Sequence, residues 1–117
     1  MGIAVSDAFE LIFDTLTSTR KAHNLSQDPR VALVIGGLAD GEQQTVQYEG
    51  FADRPNGVEL ELARALYFEA FPDGRDRLAW PGLVHLRVRP LWLRYSDYRI
   101  DPPIVVEFDA VQLSALR

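Results

Sequence analysis

The stretch from Phe13 to Ile35 reads FDTLTSTRKAHNLSQDPRVALVI, and its middle decides how the chain is built. Thr17, Ser18 and Thr19 run straight into Arg20 and Lys21. Ser and Thr suit a helix start, because a side-chain oxygen there accepts hydrogen bonds from free backbone N–H groups. Arg and Lys do not suit it, because the first turn of a helix already carries partial positive charge. A capping box would place Glu or Gln three residues after Ser18, and Lys21 stands there instead. A short helix is predicted from about Ser18 to Gln27, stopped by Asp28-Pro29. The two cations leave two readings open. One is an anion site, with backbone N–H groups facing a phosphate, Arg20 and Lys21 adding charge, and the hydroxyls of Thr15, Thr17, Ser18 and Thr19 adding neutral donors. The other is a capped surface helix with two solvated cations.

On either side of this stretch the pattern is that of strands. GIAVSD and AFELIFDTL read as two arms of a hairpin joined near Ser6-Asp7, with Phe9, Leu11 and Phe13 on one strand face. RVALVIGGL barely alternates, which predicts a strand buried on both faces. Asp40-Gly41 marks a turn, QTVQYEGFADR the returning strand, and Gly50 a bulge within it. NGVELELARALYFEAF is a predicted helix capped by Asn56, with Val58, Leu62, Ala65 and Leu66 as its apolar stripe. PDGRDRLAWPG is irregular, with room for one helical turn. LVHLRVRPLWLRYSDYRI is a long strand or pair of strands bent at Pro90, and PPIVVEFDAVQL supplies a last short strand. Antiparallel hairpins with few helices predict a closed or partly closed barrel. The chain begins inside what reads as a core strand. The partner of that strand is therefore expected from another chain or from residues upstream.

Composition narrows the function. The 117 residues are 47% hydrophobic, enough for a real core, with a formal net charge of -5. That balance argues against a general nucleic-acid binder, though not against one small basic pocket. With no cysteine, disulfides, thiolate catalysis and cysteine metal sites are excluded. His23 and His85 are too few for a metal site of their own; His23 reads as a helix-surface or packing residue and His85 as part of a strand's polar face. No apolar run approaches the roughly 18 residues of a membrane span, so no membrane partner is expected and the cytoplasm is the default location. The carboxylates of VELEL fit a solvated helix face, and Arg75, Asp76 and Arg77 a charged loop. Trp80, Trp92, Tyr95 and Tyr98 suit either a stacked planar ring or a core or dimer interface.

FDTLTSTRKAHNLSQDPRVALVI followed by TVQYEGFAD resembles the FMN-binding split-barrel proteins related to pyridoxamine 5'-phosphate oxidase. The family pattern is a strand ending in Thr, then Ser/Thr-Arg-Lys, a helix with Asn-Leu, then Asn/Asp-Pro-Arg-Val. Here it falls on Thr15, Thr19-Arg20-Lys21, Asn24-Leu25 and Asp28-Pro29-Arg30-Val31. Gly50 and Ala52 match the end of the next family strand, and RVRPLWLRYSDYR resembles the late strand that carries a flavin-contacting aromatic. The resemblance covers nearly the whole chain and implies one mainly β domain over residues 1–117. Its fold would be an antiparallel, Greek-key-like split barrel with two or three short helices, lacking the family's first helix and strand.

The resemblance also implies FMN as cofactor. Arg20 and Lys21 would bind its phosphate with support from Thr19, and Phe13, Asp14 and Thr15 would lie beside the flavin ring and ribityl chain. Thr45 or Gln47 would touch the isoalloxazine, and Tyr95 falls where the oxidase has a flavin-facing Trp. The family is a homodimer with two flavins at the interface. In the oxidase a Tyr, an Arg and a Ser hold the substrate phosphate. Tyr67 is kept here, Phe71 replaces the Arg, and Arg75 replaces the Ser. The C-terminal Arg-x-His motif is absent as well, so vitamin B6 oxidase activity is not expected. The expectation is a flavin-dependent oxidoreductase of unassigned substrate, with no residue standing out as acid or base. The alternatives are a flavin-binding or cofactor-free dimer without turnover, or a relative binding deazaflavin or haem, for which His85 or His23 is the histidine candidate.

Overall fold

The computed structural model describes residues 2–36 and 43–115. Its elements are β1 (Ala4–Val5), β2 (Leu11–Leu16), α1 (Arg20–Gln27), β3 (Arg30–Gly36), β4 (Gln44–Asp53), α2 (Gly57–Ala70), a 3-10 helix (Pro72–Ala79), β5 (Leu83–Asp97), β6 (Ile104–Asp109) and α3 (Ala110–Ala115). All strand pairs are antiparallel, in the order β1-β2-β5-β4-β3, with β6 also pairing β5. The long β5 organises the sheet, because its first half pairs β2 and its second half β6, while β4 runs along most of its length.

The predicted hairpin forms, with Ala4 opposite Ile12 and Val5 opposite Leu11. Its turn is wider than the sequence predicts. Ser6 Oγ accepts from the backbone of Ala8 and Glu10, and Phe9 takes a left-handed conformation with φ of 61°. Phe9 therefore leaves the strand and does not share the face of Leu11 and Phe13. The Tyr48 hydroxyl donates to its carbonyl at 2.7 Å, which fixes the turn against the core.

The two faces of β2 and β5 bury different layers. Leu11, Phe13, Val84, Leu86 and Val88 join Tyr48 in the barrel core. Ile12 faces the other way and packs with Ala4 and with Ala63, Tyr67 and Phe68 of α2. Of the stripe predicted for α2 only Leu66 packs toward the sheet, while Ala65 is exposed and Val58 and Leu62 are 69% and 67% exposed. Nine residues separate Val58 from Tyr67, which is about 180° around a helix, so only one of the two faces the sheet. The aromatic pair buries more apolar area than a Val–Leu pair and takes that side.

β3 also departs from expectation. Among the described residues it pairs only with β4, so it is an edge strand whose exposure alternates, and Val34 is 57% exposed. At Pro90 the strand β5 continues. Gly50 pairs with Pro90 and Glu49 with Trp92, so Leu91 is the extra residue of a bulge opposite the predicted glycine. A Cβ on Gly50 would run into the Arg89 carbonyl oxygen, which is why no side chain stands there. The predicted Asp40-Gly41 turn lies outside the described residues.

Candidate functional site

The turn between β2 and α1 is built by its threonines. Thr19 is the N-cap of α1: its hydroxyl accepts from Ala22 N–H at 3.2 Å and donates to the Leu16 carbonyl at 2.8 Å. Thr15 Oγ1 lies 3.0 Å from Thr19 Oγ1. A hydroxyl carries one proton, and that of Thr19 goes to Leu16, so Thr15 is the donor of this pair. Both protons are thus used inside the turn, and neither threonine is a free donor for a ligand. Thr17 N–H donates to the Gly82 carbonyl at 2.8 Å and ties the turn to the entrance of β5.

Arg20 and Lys21 open α1, and the first turn of the helix holds no acidic residue. The Lys21 ammonium lies 5.7 Å from the centroid of the Phe13 ring, a cation–π contact at the rim of the barrel core. Among the described residues no carboxylate pairs with Arg20. The inner side of α1 stands over a cleft of about 330 Å³ lined by Ala22, Leu25, Ser26, Ala52, Val84 and Leu86.

Asp14 lies between Phe13 and Thr15 in sequence, but its side chain is on the opposite face of β2. There it is opposite His85 in the register of β5. Its carboxylate accepts from Arg77 Nε at 2.7 Å and from the Tyr67 hydroxyl at 3.2 Å. Arg77 also donates to the Tyr67 oxygen at 3.3 Å. Burial, then the Asp14 charge, pushes the Tyr67 hydroxyl above its ordinary pKa, so it stays a donor. Tyr67 is 1% exposed, and Arg75 lies over the Phe68 ring at 5.4 Å. Sequence reasoning placed Arg77 in a solvated loop and missed its role as the Asp14 partner. The two are 63 residues apart, and no local pattern pairs them.

The remaining predicted contacts sit far along β4 and β5. Thr45 and Gln47 share one face, where Arg94 donates to Gln47 Oε1 at 3.4 Å, lies over the Trp92 ring and pairs with Glu107 at 2.6 Å. Tyr95 projects from the other face. Its hydroxyl accepts from Gln44 Nε2 at 2.6 Å and donates to Asp97 at 3.4 Å. The hydrogen bonds of Arg99 hold the Asp97 carboxyl well down, at about 2. Thr15 pairs with Val84, and Tyr95 is eleven residues further along the same strand. At ~3.3 Å per residue that is about 35 Å of strand. Within one chain, the start of α1 and Tyr95 are therefore widely separated.

No family model matches the sequence, and no curated protein matches it. Solved structures do match its fold. A haem-binding protein from Mycobacterium smegmatis superposes with a TM-score of 0.80 at 19% identity, over 97% of this chain and 47% of that one. A protein of unknown function from Agrobacterium tumefaciens gives 0.68 at 23% identity, over 86% and 44%. A pyridoxamine 5'-phosphate oxidase-related, FMN-binding protein from Nostoc punctiforme gives 0.64 at 16% identity, over 93% and 75%. The chain folds as a pyridoxamine 5'-phosphate oxidase-like split barrel. This split barrel spans less than half the length of the first two neighbours. Among its described residues, no helix is long and apolar enough to cross a membrane.

Proposed function

We propose that this split barrel binds FMN between two copies of itself and works in the cytoplasm as a flavin-dependent oxidoreductase. The observation that carries the reading is the start of α1. Two cations stand in a helical first turn that holds no acidic residue, at the end of the helix whose dipole and free N–H groups favour an anion. A phosphate monoester supplies that anion, and Arg20 and Lys21 hold it by charge-assisted hydrogen bonds. Thr15 and Thr19 shape the turn that aims them, and the Phe13 ring keeps Lys21 at the barrel rim. Thr45, Gln47 and Tyr95 lie too far along β5 to reach the same ligand within one chain. A second copy brings them to it, Thr45 and Gln47 from one face of the sheet or Tyr95 from the other. When bound, the flavin supplies hydride chemistry at its ring, and the protein contributes anchoring and a shaped pocket. Phosphate recognition by Tyr67 and Arg75 is not part of this reading, because Tyr67 is enclosed with Asp14 and Arg75 is stacked on Phe68.

A haem-binding reading has one specific observation in its favour, the superposition on the Mycobacterium smegmatis protein. His23, exposed on α1, is the accessible ligand for it, since His85 is enclosed beneath α2. One measurement separates the readings. After incubation with FMN or with haemin and removal of free ligand, the visible spectrum is expected to show flavin bands and no Soret band. Replacing Arg20 and Lys21 together with Ala is expected to weaken FMN binding by at least tenfold while the circular dichroism stays unchanged. Unchanged affinity would sink the phosphate assignment.

A further inference from the structure

His85 is 1% exposed, and its Nε2 has no hydrogen-bond partner. Its Nδ1 accepts from Arg64 Nε of α2 at 3.4 Å, which puts the proton of the neutral ring on Nε2. The rings of Tyr67 and Phe68 meet the imidazole edge-to-face at 5.4 and 5.5 Å. One helix thus encloses the ring with three side chains from a single face, Arg64, Tyr67 and Phe68.

The charges around the imidazole oppose a second proton. Arg64 of α2 and Arg77 of the 3-10 helix are cationic. Arg87, two residues along β5 on the same face, is paired with Asp53 and Glu59. From β2 only Asp14 attracts, and its oxygens already accept from Arg77 and Tyr67. A proton on Nδ1 would break the bond from Arg64 and leave two cations face to face. Burial first, and Arg64 second, hold the imidazole below its ordinary range against the pull of Asp14. The apolar seat of α2, made by Ala4, Ile12, Ala63, Tyr67 and Phe68, is separate from the barrel core, so the helix layer is able to open without the barrel.

We infer that His85 is an acid-responsive latch: proton uptake by its imidazole releases α2 and the 3-10 helix from the sheet while the barrel core stays closed. The closed state holds the ring neutral. Opening rehydrates it and returns it to an ordinary histidine pKa of about 6.5, so the open state binds the proton more strongly. Below that pH the open population grows, by up to tenfold per pH unit, until the closed-state value is reached. The inference does not depend on which cofactor the protein binds.

The test uses the intact chain and NMR. There are two histidines, so the His85 signal is assigned by its loss in His85→Met. His85 is expected to titrate clearly below 6.5. Amide exchange at Ala63, Tyr67 and Phe68, corrected for intrinsic rate, is expected to lose protection by several-fold, up to about tenfold, between pH 7.5 and 5.5. The amides of Val84, Leu86 and Tyr48 are expected to keep theirs. His85→Met, which cannot titrate, is expected to abolish the pH dependence in α2. Arg64→Gln is expected to raise the His85 titration and weaken the dependence. A His85 titration at or above 6.5, or α2 protection that ignores pH, overturns the latch, and the second is read on the unmodified protein even if a variant fails to fold.

Discussion

Thr19 shows how a residue type is legible when its bonding is not. The sequence supports a hydroxyl at the head of α1, and the structure puts Thr19 there as N-cap. The sequence also admits Thr15 and Thr19 as ligand donors. That fails because the Leu16 carbonyl lies within reach of Thr19, and a backbone acceptor three residues away is always present where a ligand is not. Thr19→Ala removes the cap and frees Thr15, and is expected to cost about 1 kcal/mol of stability, read as a lower midpoint in urea. Thr19→Ser keeps both bonds and is expected to restore most of the loss. His85 was misread for a related reason. Alternation with Val84 and Leu86 gives its face correctly, but which layer covers that face is decided by α2, far away in sequence.

At the scale of elements, strands are legible where a β-rich run is bounded by turn residues. β2, β4 and β5 fall where their patterns predict, and the bulge at Gly50 was visible as a glycine inside a strand. β3 was misjudged because an unbroken apolar run looks the same whether its second face is covered by the same chain or lies open. α2 was misjudged because its sequence carries two apolar stripes on opposite sides, and periodicity alone does not rank them. The structure ranks them, which yields a paired test. Tyr67→Ala removes a buried ring and is expected to cost about 3–5 kcal/mol. Leu62→Ala, on the open side of the same helix, is expected to change stability by about 0.5 kcal/mol or less in a single chain. Equal losses in thermal or urea unfolding would mean that the wrong face has been assigned.

At the scale of the whole molecule, the sequence offers two groups of candidate residues and leaves their distance apart unread. Arg20 and Lys21 sit at one end of the sheet, and Thr45, Gln47 and Tyr95 sit about 35 Å of strand away. If FMN needs both groups, each ligand must take them from different copies, and a two-fold dimer then carries two equivalent composite sites. Complementation tests this directly. A variant with Arg20→Ala and Lys21→Ala lacks the phosphate half in both sites, and one with Gln47→Ala and Tyr95→Ala lacks the ring half in both. Each is expected to bind FMN poorly as a homodimer. In a heterodimer of the two, isolated with different affinity tags, both lesions fall in one site and the other is intact. It is expected to hold about one FMN against about two in the wild-type dimer, with wild-type affinity at that site. A heterodimer as weak as its parents would mean that each ligand takes both groups from one copy. A sedimentation profile showing a monomer that still binds flavin tightly would remove the need for the second copy altogether.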